Sequence, residues 1–208
     1  MIKIAVVEDD VSYRRYIVDC INKAKDLRCE DSFGEAGSFI RFLESGGEVD
    51  ILLLDLRLPG RSGLEALEPI LNLRDELKII VLTIYDDNPM IKWAMRMGVR
   101  GYLLKSSTES EIMEHIDKVS KGHILYSVAV SRNILKESKA DPNRYNLSAR
   151  ELEVLLWLSK GFGNDRISEK LFISKSTVET HLHHIFEKMR VQNRAEAVSK
   201  ALKEGIVD

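Results

Sequence analysis

Apolar residues follow two different rhythms along this chain. Up to about residue 121, short β-rich runs alternate with longer stretches of helical spacing. The runs are "IKIAVV" (2–7), "DILLLD" (50–55), "KIIVLT" (78–83) and "GYLLK" (101–105), with a fainter one at "RCEDSF" (28–33). Residues 13–25, 37–45, 63–73, 89–97 and 109–121 lie between or after them and repeat apolar positions three and four apart, the period of a helix face. Strands alternating with helices predict a parallel sheet covered on both sides, and unbroken apolar strands suit burial on both faces. Five such units predict an α/β, doubly wound, five-stranded parallel sheet of the flavodoxin-like type.

Past residue 147 the spacing is helical throughout. "SARE" (148–151) reads as a capping box, Ser148 capping the helix and Glu151 reaching back, and Gly161 ends that helix. A second short helix fits 164–171. After the turn "FIS", Ser174 caps a third helix running from 175 to about 189, and a fourth covers 194–204. Two short helices joined by a tight turn form the helix-turn-helix pattern. Residues 123–146 break both rhythms, and their polar, Pro-containing "KESKADPNRYN" reads as a linker. The expected organisation is a domain at 1–122, a linker at 123–146 and an all-α four-helix domain at 147–208.

Composition narrows the class. With 208 residues, 44% hydrophobic and 31% charged, the chain fits two ordinary globular domains. No apolar run approaches the roughly 18 residues of a bilayer span, and "MIKIAVVEDD" turns acidic too soon for a signal peptide. A cytoplasmic protein without membrane contact is expected. Cys20 and Cys29 sit in no metal or redox spacing and suit a reducing compartment, so no disulfide is expected. Charge is uneven: residues 1–124 hold 17 Lys and Arg against 22 Asp and Glu, and residues 144–208 hold 11 against 9. An acidic first half and a mildly basic second half point to different partners.

The chemistry sits where the strands end. In open α/β sheets the functional crevice lies beyond the carboxyl ends of the strands. Those ends carry Glu8 and Asp9 after the first strand, Asp55 at the end of "ILLLD", Thr83 after the fourth and Lys105 after the fifth. Three gathered carboxylates repel one another unless a cation lies among them, and such oxygen ligands suit Mg²⁺. A nucleotide site would need glycines after the first strand, and "EDDVSYRR" has none. A phosphatase of the aspartyl-phosphate type would carry a second Asp at 57, where Arg57 stands.

On these residues, 1–120 resembles the receiver domain of bacterial two-component response regulators. The resemblance implies that Asp55 accepts a phosphoryl group from a sensor histidine kinase. It further implies Asp9 as a direct Mg²⁺ ligand, Glu8 as one acting through water, and Asp55 and the backbone carbonyl of Arg57 as the rest of the set; Asp10 falls one position past the pair. Lys105 would pair with phosphoryl oxygens, Thr83 would donate its hydroxyl to one of them, and Tyr102 matches the aromatic switch residue. Arg57 and Tyr85 stand at positions that gate the attacking water in the family. Gly60 and Gly63 in "LPGRSG" match the loop after the phosphoacceptor.

The second half carries its own resemblance. Val178, Leu182, Ile185 and Met189 form one apolar stripe, leaving Ser176, Thr180, His183, His184 and Glu187 opposite, with Glu179 at the flank. "STVETHLHHIFEKM" with "NRAEA" resembles the LuxR-type DNA-binding domain, the match running from 147 to about 202. By that resemblance Glu179, Thr180 and His183 are base-reading positions, Lys175, Thr177, His184 and Lys188 contact or flank phosphate, and Ser176 is a further DNA-binding position. Glu179 departs from the Lys that relatives often carry, and a carboxylate can accept from a cytosine amino group. Together the two resemblances imply a non-enzymatic, phosphorylation-dependent transcription regulator of the LuxR-type (NarL–FixJ) class. It would bind double-stranded promoter DNA as a homodimer once phosphorylated. The alternative is an atypical regulator that binds DNA without phosphorylation.

Overall fold

The computed structural model describes residues 1–84, 89–125 and 144–207. It divides into two compact units. Up to residue 120 the chain follows a strict βα alternation: β1 Ile2–Val7, α1 Val11–Asn22, β2 Leu27–Phe33, α2 Ala36–Glu44, β3 Ile51–Asp55, α3 Gly63–Leu73, β4 Lys78–Thr83, α4 Pro89–Arg96, β5 Gly101–Leu104 and α5 Glu109–Ser120. All four strand pairings are parallel, in the order β2-β1-β3-β4-β5. The chain therefore reverses its winding between β1 and β3, where Val7 lies opposite Leu54. That switch point is where an open α/β sheet parts its loops and leaves a crevice.

The apolar runs are strands because both of their faces are covered. Ile4, Val6, Ile51, Leu53, Ile80 and Leu82 pack on one side with Ile17 and Ile21 of α1 and Ile112, Ile116 and Val119 of α5. Alternate residues Val7, Leu52 and Leu54 point the other way and are equally buried. Each such side chain contributes about 1.5–3 kcal/mol by leaving water. Cys20 and Cys29 are buried free thiols.

Helix starts follow local chemistry. Asp10 caps α1, its carboxylate accepting from the amides of Ser12 and Tyr13, so that helix starts two residues before the predicted 13. Ser62 with Glu65 and Thr108 with Glu111 form complete capping boxes for α3 and α5.

The second unit is helical: α6 Ala149–Ser159, α7 Asn164–Leu171, α8 Lys175–Met189 and α9 Arg194–Lys203. Ser148 and Glu151 form the expected capping box, and Gly161 follows α6 at φ +79°. Ser174 caps α8 through the Thr177 amide. Phe172 turns the chain between α7 and α8 in the left-handed region, at φ +53°. Val178, Leu182, Ile185 and Met189 are the buried face of α8, the stripe read from spacing. Most of the predicted linker, residues 126–143, lies outside the described residues.

Candidate functional site

The strand ends converge as their order requires. Glu8 is fully buried, Asp55 is 3% exposed, and Asp9 is exposed beside them. One carboxylate oxygen from each lies within 4.8 Å of the others. Lys105 reaches across from the end of β5, and its ammonium donates to Glu8 Oε1 and to Asp55 Oδ2, both at 2.8 Å. This lysine is the compensation that a buried Asp55 requires.

The compensation is incomplete. Glu8 Oε1 also accepts from the Asp10 amide at 3.1 Å. Glu8 Oε2 lies 2.7 Å from the Lys105 nitrogen but off the hydrogen-bonding direction, so it is buried without a hydrogen bond. Burial pushes the Glu8 carboxyl up, the Lys105 hydrogen bond pulls it down, and the Asp55 charge pushes it up again, to about 7. Burial works against the charge on Lys105, yet Asp55 and Glu8 outweigh it and raise its pKa. The pocket therefore holds more negative charge than one ammonium neutralises. A buried carboxylate oxygen held by charge alone, beside two further carboxylates, is a donor set suited to a hard divalent cation.

The loop after β3 shapes the pocket wall. Asp55 Oδ1 accepts from the Arg57 amide at 2.9 Å, turning the chain over the carboxylate. Gly60 has φ +73°. Gly63 is required by proximity instead, since a Cβ there would sit 1.9 Å from the Asp55 carbonyl oxygen. Thr83 is buried at the end of β4, its carbonyl accepting from the Lys105 amide at 2.7 Å, which ties the two strand ends together. Tyr102 is buried on β5. Tyr85 lies outside the described residues.

Two neighbours were not foreseen from sequence. Arg14 on α1 donates to the Glu8 backbone carbonyl. Tyr13 lies with its ring 5.4 Å from the Lys105 ammonium, its buried hydroxyl making no hydrogen bond. Both are three or more residues past the acid pair, a helical turn away, and only the start of α1 at Val11 aims them back.

On the second unit, Lys175, Ser176, Glu179, Thr180, His183, His184 and Lys188 are exposed on α8, and Thr177 is half-buried. Lys175 pairs with Asp165 at 2.9 Å, and Asn164 reaches Glu179 at 3.5 Å. Thr180 donates to the Ser176 carbonyl, and His183 lies 3.4 Å from Glu187. Lys188 is held inward: it donates to Glu151 at 2.6 Å and to the Asn146 carbonyl at 2.9 Å. Burial works to raise the Glu151 carboxyl, but Lys188 and the Ser148 amide outweigh it and hold it below its usual range. Sequence reasoning also missed Arg150 and Glu153, a pair on α6 at 2.7 Å with both side chains at most 5% exposed. Arg150 additionally donates to the Leu171 carbonyl, fastening α7 to α6.

A receiver-type sheet with acids at its switch point, joined in one chain to a capped helix-turn-helix, defines a two-domain DNA-binding regulator. The response regulator receiver domain family matches residues 4–117, and the family described as bacterial regulatory proteins, luxR family, matches residues 145–201. This chain belongs to the LuxR-type response regulators and is a transcription regulator rather than an enzyme. Among its relatives, an uncharacterized transcriptional regulatory protein, YxjL of Bacillus subtilis (strain 168), is 32% identical over 99% of this chain and 97% of its own length. The oxygen regulatory protein NreC of Staphylococcus carnosus (strain TM300) is 31% identical over 99% of both. Of solved structures, the response regulator ChrA of a heme-sensing two-component system aligns with a TM-score of 0.53 at 28% identity, covering 99% of this chain and 98% of that one. RcsB of Salmonella typhimurium aligns with a TM-score of 0.64 at 23% identity, covering 96% of each chain, and shares the fold. No helix among the described residues is long and apolar enough to cross a membrane.

Proposed function

We propose that Asp55 accepts a phosphoryl group from a sensor histidine kinase, and that this modification controls promoter binding by α8 in a cytoplasmic homodimer. The observation that carries this is the excess of buried negative charge around Asp55, with Glu8 Oε2 left without a hydrogen bond. Glu8, Asp9, Asp55 and the Arg57 carbonyl would hold Mg²⁺, which supplies charge that offsets repulsion between carboxylates and an incoming phosphoryl group.

This chain's own groups do the rest. Asp55 presents Oδ2 to the phosphorus, forming a P–O bond as the P–N bond to the donor imidazole breaks. Lys105, which bridges Glu8 and Asp55, would exchange Asp55 Oδ2 for a phosphoryl oxygen. Thr83, held beside Lys105 by its own carbonyl, would donate its hydroxyl to a second oxygen, and Tyr102 would follow Thr83 inward. Such a local exchange biases a two-state domain, and its readout is association of two chains and placement of two recognition helices about one turn of DNA apart.

Two measurements test this. Incubation with acetyl phosphate and Mg²⁺ should label the wild-type protein with one base-labile phosphoryl group, and Asp55→Asn should abolish it; undiminished uptake by the variant refutes the assignment. Phosphorylation should also tighten binding to a two-half-site operator more than to a single half-site. Equal tightening on both would remove dimer formation from the proposal.

A further inference from the structure

Away from the acid pocket, the helical unit gathers a second set of converging donor atoms. Glu151 of α6 and His181 and His184 of α8 each offer one, and the three lie within 4.8 Å of one another. They come from two helices whose relative position is fixed by packed apolar faces, Leu152, Leu155 and Leu156 of α6 and Val178, Leu182 and Ile185 of α8 being buried.

Each donor has a local reason to be where it is. His181 and His184 are three residues apart, which puts them on one side of the helix. Glu151 occupies the third position of the α6 capping box and is 3% exposed. Its two oxygens are not equivalent. Oε2 is committed, accepting from the Ser148 amide at 2.7 Å and from Lys188 at 2.6 Å. Oε1 faces His184 Nδ1 at 3.6 Å, beyond a hydrogen bond. That separation is close to the roughly 3.4 Å between two ligands each bound about 2.1 Å from a tetrahedral ion.

The donor types select the ion. Two imidazoles and one carboxylate suit a borderline-soft cation such as Zn²⁺ and suit Mg²⁺ poorly. Three protein donors leave a fourth position for water. Lys188 opposes the cation but sits on the other oxygen of Glu151, so it weakens the site without occupying it. We propose that Glu151, His181 and His184 bind a divalent transition-metal ion of the zinc type, clamping the recognition helix to α6. The site is independent of Asp55 chemistry and stands or falls separately from it.

The test uses the full-length, untagged protein carrying Asp9→Asn and held in excess Mg²⁺, so that the acid pocket does not report. Co²⁺ is titrated first and then displaced by Zn²⁺. The expected result is one Co²⁺ per chain with the intense visible bands of four-coordinate cobalt, lost stoichiometrically on adding Zn²⁺. His181→Asn and His184→Asn should each weaken Zn²⁺ binding by more than about a hundredfold. Both variants should retain the wild-type circular dichroism spectrum. His183→Asn is the control, because His183 is exposed on the same helix but outside the cluster, and its affinity should match wild type. Failure of the parent protein to bind, retention of tight binding in His184→Asn, or equal loss in His183→Asn overturns the proposal.

Discussion

Replacing Glu8 by Gln should make the metal-free protein more stable at neutral pH, although it removes a charge paired with Lys105. Glu8 is fully buried, and its carboxyl stands at about 7 in the folded protein against an ordinary 4.5. Because the folded value lies above the unfolded one, the folded protein keeps a proton that the unfolded chain releases. The stability this provides is complete below pH 4.5, declines as pH rises and is gone above about 7. The rise spans about two and a half pH units at about 1.4 kcal/mol each, so the wild type should lose about 3 kcal/mol across that window. Gln retains the acceptor that Oε1 offers to Lys105 and to the Asp10 amide, and it cannot ionise. Groups distant from Glu8 are common to the two proteins and cancel in their difference, and Lys105, raised above its ordinary value, stays charged throughout this range.

The assay is urea unfolding in EDTA at pH 4.5, 6 and 8, followed by the loss of hydrogen-exchange protection of the β1 and β3 amides, which report the sheet domain. The stability difference, Glu8→Gln minus wild type, should grow by about 3 kcal/mol between pH 4.5 and pH 8. Parallel curves for the two proteins would show that Glu8 titrates as if in water, and the frustrated pocket would be wrong. Saturating Mg²⁺ should flatten the wild-type decline, since a cation favours the charged carboxyl.

Other positions give independent checks. Gly63→Ala should lower the unfolding free energy of the sheet domain by about 1–3 kcal/mol, because the added Cβ meets the Asp55 carbonyl oxygen at 1.9 Å; an unchanged urea midpoint would disprove the close approach. Lys188→Ala should destabilise the helical domain by about 1–3 kcal/mol, read by Trp157 in a Trp93→Phe background, since it strips the buried Glu151 of its cation. Lys175→Ala removes only an exposed pair with Asp165, so stability should hold while the salt slope of DNA binding falls by about one. Glu179→Lys should tighten binding to scrambled DNA and lose about 1–3 kcal/mol of discrimination at the cognate site; equal tightening on both duplexes would show that Glu179 reads no base.

The fold was legible because its signals are local. Unbroken apolar runs such as "ILLLD" announce strands covered on both faces, and the alternation with helices leaves few topologies. Where α1 starts earlier than its predicted residue 13, the difference is a cap. Asp10 reads as a spare acid beside Glu8 and Asp9, but its carboxylate takes two free amides and starts α1 at Val11. "SGLE" and "TESE" carry the same capping signal as "SARE", and the predicted starts at 63 and 109 are where α3 and α5 begin.

The acid pocket was legible for a different reason, and the reason marks where sequence stops. Strand ends in a parallel sheet must share an edge, so Glu8, Asp55, Thr83 and Lys105 meet whatever their side chains do. What topology leaves open is how the charges settle. Lys105 could have satisfied one carboxylate fully; it bridges two instead, and one oxygen of Glu8 is held by charge without a hydrogen bond. Along α8 the same limit appears reversed. Lys175 and Lys188 are alike in sequence, each a lysine on the polar side of one helix. Their difference lies in Glu151, thirty-seven residues before Lys188, whose burial against α8 turns that lysine into part of the scaffold while Lys175 stays at the surface. Helical spacing tells which side of a helix a residue occupies, and only the packing of α6 on α8 tells what waits there.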